Sequence, residues 1–337
     1  MDEAWLLFGR ELQPSEPGQG YRMYMKLGKF GKFERQDDRN LESYGVISTA
    51  YNRFEDAGME LGLDMGDHLY FRASYTAGNP LFFRDPNALA GDNGTPERDP
   101  IANPNPDPDL KSGIVLFYDA EIEELDFGNH AEVGFAMGLR MADPSGSKVA
   151  NVMVYGYGRT LREEADITGS FYNGDLDLLR GVEEELGLVG GLPISGDKKE
   201  ERGANLWLYL NDFTFFGQYV RSEIASLKSS GFEGEFAWSF ELPLVLAAGG
   251  KQLFSLITPA LRYSELDHDF TGNANIYPAP SVWWPWKKLD VGLNLLIYQD
   301  LLFTIEYNSV KTLRMGKWEH NDELLATLSW KWSRQRN

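Results

Sequence analysis

The residues best equipped for chemistry in this 337-residue chain are glutamates set two apart and histidines set beside acids. The glutamate pairs are Glu121 with Glu123 and Glu233 with Glu235; the histidine clusters are Asp267-His268-Asp269 and His320-Asn321-Asp322. Two apposed carboxylates can divide acid and base work in glycoside hydrolysis. An imidazole beside a carboxylate can act as a general base or ligate a metal. At a spacing of two along a strand, however, both glutamates point to the same face, so a wetted strand face accounts for each pair. His68, His130, His268 and His320 offer no two-histidine metal spacing on one element, and there is no G-x-S-x-G elbow, P-loop or dinucleotide fingerprint. An enzyme, a bound cofactor and a structural metal are therefore not expected. The one candidate ion site is Asp92-Asn93-Gly94 with Asp85 or Asp99, whose oxygens suit Ca2+ but lack the EF-hand spacing.

The elements that would position these acids are strands. From Gly231 to Leu242 the chain reads GFEGEFAWSFEL. Phe232, Gly234, Phe236, Trp238, Phe240 and Leu242 fall on one face, and Glu233, Glu235, Ser239 and Glu241 on the other. The same alternation recurs over 21–27, 68–75, 114–123, 130–141, 204–211, 288–297 and 323–332. Only 176–188 has a helical character. No run of eighteen apolar residues exists, which excludes a transmembrane helix. The net charge of -19 argues against a nucleic-acid partner, and the absence of cysteine suits an oxidising compartment. The opening MDEAWLLFGREL lacks the regions of a secretory signal, so an exported protein would be met here in mature form.

The connections carry a second signal. Some are very short, near 66–67, 126–128, 211–212 and 299–300; others are long, 78–111, 175–202 and 267–286. Short turns at one end and long loops at the other describe an outer-membrane barrel. Placing 78–111 outside puts 126–128 inside, 143–146 outside, 211–212 inside and 267–286 outside. With strands at 44–52, 114–122 and 164–173, the count reaches 16, broken only by a long inner connection at 31–43. A soluble sandwich would have shorter strands. Here strands run to ten residues or more, and tryptophans cluster at strand ends (Trp283, Trp284, Trp286, Trp330 and Trp332). The fold expected is all-β, one transmembrane antiparallel barrel of about 16 strands spanning 1–337.

The segments KLGKFGKFERQ (26–36), PALRYSELD (259–267), KLDVGLNLLIYQDLLFTIEYNSV (288–310) and NDELLATLSWKW (321–332) resemble bacterial outer-membrane porins, in particular the phosphate-selective porin-like family. That resemblance implies a 16-stranded barrel in the outer membrane, embedded in lipid and lipopolysaccharide, often a homotrimer, with one loop folded into the lumen. Two features depart from the family. The expected pore-lining residues are Arg22, Lys26, Arg72, Arg140, Arg221, Arg262 and Lys288 against Asp119, Glu121, Glu132, Glu233, Glu235 and Glu306. With Lys331 added to the bases and Glu123, Glu223, Glu241 and Asp290 to the acids, the inward positions lean acidic, whereas phosphate preference rests on a basic ladder. The chain also ends SRQRN rather than on an aromatic residue.

The Pro- and Asp-rich run 79–110 is too long for a mere connection. It is expected to fold into the lumen as a constriction loop lined by Arg84, Asp85, Asp92, Asn93, Glu97 and Arg98, the alternative being a loop over the rim. The function expected is passive diffusion of small hydrophilic solutes or ions. A barrel anchoring or sheathing a partner protein, and a soluble β-rich binding protein, are the alternatives.

Overall fold

Strand β5, Glu132–Ala142, carries the logic of the whole architecture in one ribbon. Val133, Phe135, Met137 and Leu139 are exposed, while Glu132, Ala136 and Arg140 between them are buried. Phe135 is 64% exposed and Arg140 only 3%, the reverse of a water-soluble sheet. Each large apolar side chain facing water would forgo about 1.5–3 kcal/mol. Outward apolar and inward polar residues alternating along strands form the wall of a membrane-spanning barrel.

The computed structural model describes residues 3–50, 55–77, 128, 130–160, 197–224, 226–241, 254–269, 285–297, 301–314 and 317–330. Their strands are β1 (Ala4–Gly9), β2 (Arg22–Gly31), β3 (Glu55–Met65), β4 (Leu69–Thr76), β5, β6 (Lys148–Thr160) and β7 (Lys198–Leu210). There follow β8 (Phe213–Ile224), β9 (Leu227–Trp238), β10 (Phe240–Glu241), β11 (Phe254–His268), β12 (Trp286–Ile297), β13 (Leu301–Arg314) and β14 (Lys317–Trp330). One short helix, α1 (Val46–Ala50), lies between β2 and β3. All strands join one antiparallel sheet in sequence order, with the two-residue β10 continuing β9 beyond Ser239 against β11. Among the described residues, no ladder joins β1 to β14, the two ends of this order.

The pairing corrects the expected count. Fourteen strands are present among the described residues, not 16. Residues 46–50 are helical rather than extended. The strands expected at 114–122 and 164–173 fall outside the described residues, and β4 pairs directly with β5, and β6 with β7, leaving no strand between them. Losing 114–122 moves the 143–146 turn to the other end, and losing 164–173 returns 211–212 to the end expected of it. The turn at 143–146 shares its end of the sheet with 66–68 and 211–212, opposite the long connections. The connection 32–54, expected on the inner side, instead leaves from the long-connection end.

Local chemistry fixes the short turns. Asn211 adopts a positive φ of 55° in the two-residue turn between β7 and β8, a conformation asparagine tolerates well. In the β5–β6 turn, the Asp143 carboxylate accepts the backbone N–H of Lys148 at 2.8 Å and a hydroxyl bond from Ser145.

The inner face of the first half of the sheet is paved with tyrosine over glycine. Tyr24 lies over Gly62, Tyr70 over Gly138, Tyr155 over Gly203 and Tyr157 over Gly134, each glycine directly opposite its ring on the neighbouring strand. A Cβ at any of these glycines would overlap the ring. The rings in turn carry guanidiniums: Arg72 stands 4.7 Å from the Tyr70 ring and 5.0 Å from Tyr24, and Arg140 stands 5.0 Å from Tyr70.

Candidate functional site

The segment 32–48, running from the end of β2 into α1, does not stay at the rim. It enters the interior as a strap and bonds inward side chains from most of the sheet. At its start, Lys32 pairs with buried Glu132 on β5, which also accepts Lys199 from β7 at 3.2 Å. Burial pulls the Lys32 ammonium down, but the Glu132, Asp56, Glu201 and Glu34 carboxylates together more than offset this and its pKa is raised. Phe33 stacks on Tyr157 of β6 with centroids 5.0 Å apart, and the Tyr157 hydroxyl bonds the Glu34 carboxylate. Asn205 of β7 donates to the Glu34 carbonyl at 2.6 Å, and the Tyr209 hydroxyl to Asp38 at 2.6 Å.

The middle of the strap crosses to the far wall. The Asn40 N–H donates to Glu235 on β9 at 2.7 Å, and its carbonyl accepts from Asn294 on β12 at 2.6 Å. Asn40 also reaches Thr214, two residues past the β7–β8 turn, so the strap extends toward the short-turn end. Buried Leu41 packs with Ala237 and Ala260. The Glu42 N–H donates to Glu306 on β13 at 2.8 Å, and Thr327 of β14 donates to the Glu42 carboxylate at 3.3 Å. One segment touching β5 to β9 and β11 to β14 requires the sheet to curl around it.

Ser43 is the densest node. Its hydroxyl and N–H both bond Glu306, while its carbonyl accepts Arg262 of β11 at 2.7 Å. Lys288 on β12 donates to the Ser43 hydroxyl at 3.1 Å and to the Tyr44 carbonyl at 2.7 Å. Gly45 lies against the Glu233 carboxylate so closely that a Cβ there would overlap it. Beyond it, the Val46 N–H donates to Ser264 at 3.1 Å, and Val46 and Ile47 enter an apolar cluster with Phe216, Val220 and Leu266.

Behind the strap, a charge row crosses the wall in direct register: Glu235 on β9, Arg262 on β11, Asp290 on β12 and Asn308 on β13. Arg262 bonds Asp290 at 2.8 Å and lies 3.6 Å from Glu235, and Lys288 reaches Asp290 at 3.2 Å. A second cluster occupies the opposite side: Lys26 with Glu11 at 2.7 Å and Glu60 at 3.6 Å, and Arg72 with Asp64 at 3.0 Å. Between strap and wall remains a cavity of about 660 Å³, lined among others by Arg35, Arg39, Asn40, Glu42, Thr258 and Asn294.

Of the residues named from the sequence as pore-lining, Arg72, Glu132, Arg140, Glu233, Glu235, Arg262 and Glu306 are buried on the inner face, and Arg22, Lys26 and Lys288 lie there partly buried. Arg221 corrects the expectation: it is exposed on the outer face. The inward positions of β8 are filled by Phe216 and Val220, packed around Val46 and Ile47, and the period of two turns Arg221 outward. Asp119, Glu121 and the expected constriction residues Arg84, Asp85, Asp92, Asn93, Glu97 and Arg98 lie outside the described residues. His68 and His130 bond backbone carbonyls of Arg140 and Thr160 near strand ends. Sequence reasoning missed the strap, although its signal was present: KFERQDDRN (32–40) breaks the alternation, and 31–43 broke the parity.

Among solved structures, the chain is similar to the high-pH structure of OprB from Pseudomonas putida, with 9% identity and a TM-score of 0.49 over 91% of this chain and 68% of that one. It is also similar to in-vitro folded OmpT, an outer membrane protein of Vibrio cholerae, with 8% identity and a TM-score of 0.41 over 96% and 89%. No family model and no curated protein matches the chain. At these identities and TM-scores, function must be read from the strap and wall themselves.

Proposed function

We propose that this chain is a porin of the bacterial outer membrane, through which small hydrophilic solutes or ions diffuse passively, and that the strap 32–48 forms its constriction. The observation that carries this reading is the strap's course across a charge-lined interior, with a cavity of about 660 Å³ left beside it. That space is within the range that holds small ligands. A solute passing there exchanges part of its hydration for carboxylates, guanidiniums and amides. Buried acids outnumber buried bases among the described residues, which favours cations and speaks against phosphate selectivity. The strap also takes up interior space that a sheathed partner protein would need, so the scaffold reading is the weaker one.

On this proposal lipid and lipopolysaccharide cover the apolar outer wall, further copies of the chain complete a homotrimer, and neither catalysis nor a resident cofactor is involved. Calcium in the 85–99 loop forms no part of it. The test is planar-bilayer conductance. The intact chain gives discrete channels with a cation-directed reversal potential in a salt gradient. Replacing 36–43 by a Gly-Ser linker gives a larger unit conductance. Silence from both proteins would overturn the porin reading in favour of a scaffold.

A further inference from the structure

We propose that Arg202 and Arg221 form a clamp for the phosphate of a lipid headgroup on the outer face of the wall, at the long-connection end. The inference rests on the membrane-barrel reading above. Arg202 on β7 and Arg221 on β8 are directly opposite in register, so their side chains leave the same face with Cβ atoms about 4.5–5.5 Å apart. That face is the outer one: Glu201, Val220 and Ser222, on the other parity, are buried. The Arg202 side chain is 82% exposed.

Like charges directly opposed across a ladder destabilise it, and little within the protein relieves this pair. Arg202 has one exposed salt bridge, donating to Glu200 at 3.3 Å through one guanidinium nitrogen. Among the described residues, no carboxylate pairs with Arg221, since its neighbour Glu223 is turned toward Lys228 at 4.0 Å. Two adjacent guanidinium forks match the oxygens of a phosphate.

The depth of the pair selects the source of that phosphate. One row toward the middle of the wall, Ala204 faces Tyr219 and Tyr219 faces Phe232; further rows bring Phe215 against Phe236 and Phe213 against Trp238. Tyr219, Phe232, Phe236 and Trp238 are all exposed, as a lipid-facing belt requires. One row the other way, Glu200 faces Glu223 and belongs to the aqueous side. The arginines therefore stand at the belt's edge, where headgroups lie. On one flank Gly156, opposite Arg202, offers no side chain to block approach; on the other, Ser230, opposite Arg221, adds a hydroxyl.

The test uses the full chain in detergent micelles, with thermal unfolding followed while short-chain phosphatidic acid is added. Phosphatidylcholine of the same chain length and inorganic phosphate serve as comparison probes. Phosphatidic acid is expected to raise the unfolding temperature saturably and more than either comparison. In R202Q/R221Q its apparent affinity falls roughly tenfold, and R221K lies between, keeping the charge but losing the fork. An unchanged response in the double variant overturns the clamp, as does an equal response to inorganic phosphate, which would mark a general anion site. Insertion into phosphatidylcholine vesicles separates the two levels of the argument. Insertion of both proteins leaves the membrane reading standing whatever the titration shows, and failure of the wild type to insert removes the premise and the clamp with it.

Discussion

Arg262 on β11 stands directly opposite Asp290 on β12, and its Nε donates to the Asp290 carboxylate at 2.8 Å while the far nitrogen of the same guanidinium holds the Ser43 carbonyl at 2.7 Å. One side chain thus joins the wall to the strap, and both residues are almost wholly enclosed. Substituting Arg262→Ala leaves Glu235 buried without its cation and Asp290 with Lys288 alone. Losing one partner of such a network destabilises by about 3–5 kcal/mol. A lowered unfolding temperature in detergent, together with noisier and larger single-channel currents, is the expected outcome. Wild-type currents from a folded variant would show that the strap does not depend on this anchor.

Glu306 gathers three strap donors: the N–H groups of Glu42 and Ser43 and the Ser43 hydroxyl. The two N–H groups share one carboxylate oxygen and the hydroxyl takes the other, so Glu306→Gln can keep the N–H bonds but turns its amide N–H on the Ser43 hydroxyl, which loses its acceptor at about 1–3 kcal/mol. Protease cleavage within 36–43, absent from the wild type, is the measurement that reports a loosened strap.

Gly138 shows how little room the inner wall leaves. Gly138→Ala places a methyl group into the Tyr70 ring, which must swing away and break its 2.6 Å bond to Asn151. Overpacking of this kind costs about 1–3 kcal/mol. A lowered unfolding temperature is expected, and Tyr70→Ala in the same chain should recover part of it by vacating the space.

The β5–β6 turn predicts an acid response. The Ser145 hydroxyl and then the Lys148 N–H lower the Asp143 pKa to about 2, against an unfolded value of about 3.9. A depressed carboxylate pKa contributes stability that is complete above the unfolded value and is lost as pH falls toward the folded one. Between pH 4 and pH 2, therefore, the wild type should lose stability more steeply than Asp143→Ala. Parallel acid-unfolding curves for the two proteins would remove the turn from the account.

Much of the wall was legible because side-chain alternation is a local property. The inward assignments of Glu233, Glu235, Arg262 and Glu306 follow from a period of two and needed no knowledge of their neighbours. Arg221 failed for a non-local reason: whether β8 turns Val220 or Arg221 inward depends on Val46 and Ile47, which arrive from far away in sequence. The strap's partners were illegible for the same reason. Nothing in KFERQDDRN states that its partners are carboxylates on β9 and β13, and a helix of five residues leaves too short a pattern to recognise. Counting 44–52 as a strand then shifted the assignment of turns to the two ends.

The strap also imposes an order of assembly. Asn40 precedes its partner Glu235 by 195 residues, and Glu42 precedes Glu306 by 264. Contacts so distant along the chain form only after the loop between them has been closed. Until β9 to β13 are in place, residues 40–43 have no carboxylates to grip, so the middle of the strap cannot lock before the second half of the wall exists. A chain truncated after β8 would hold the strap only by its start, through Lys32, Phe33, Glu34 and Asp38, with Asn40, Glu42 and Ser43 open to proteolysis. The constriction thereby doubles as a check that the wall around it is complete.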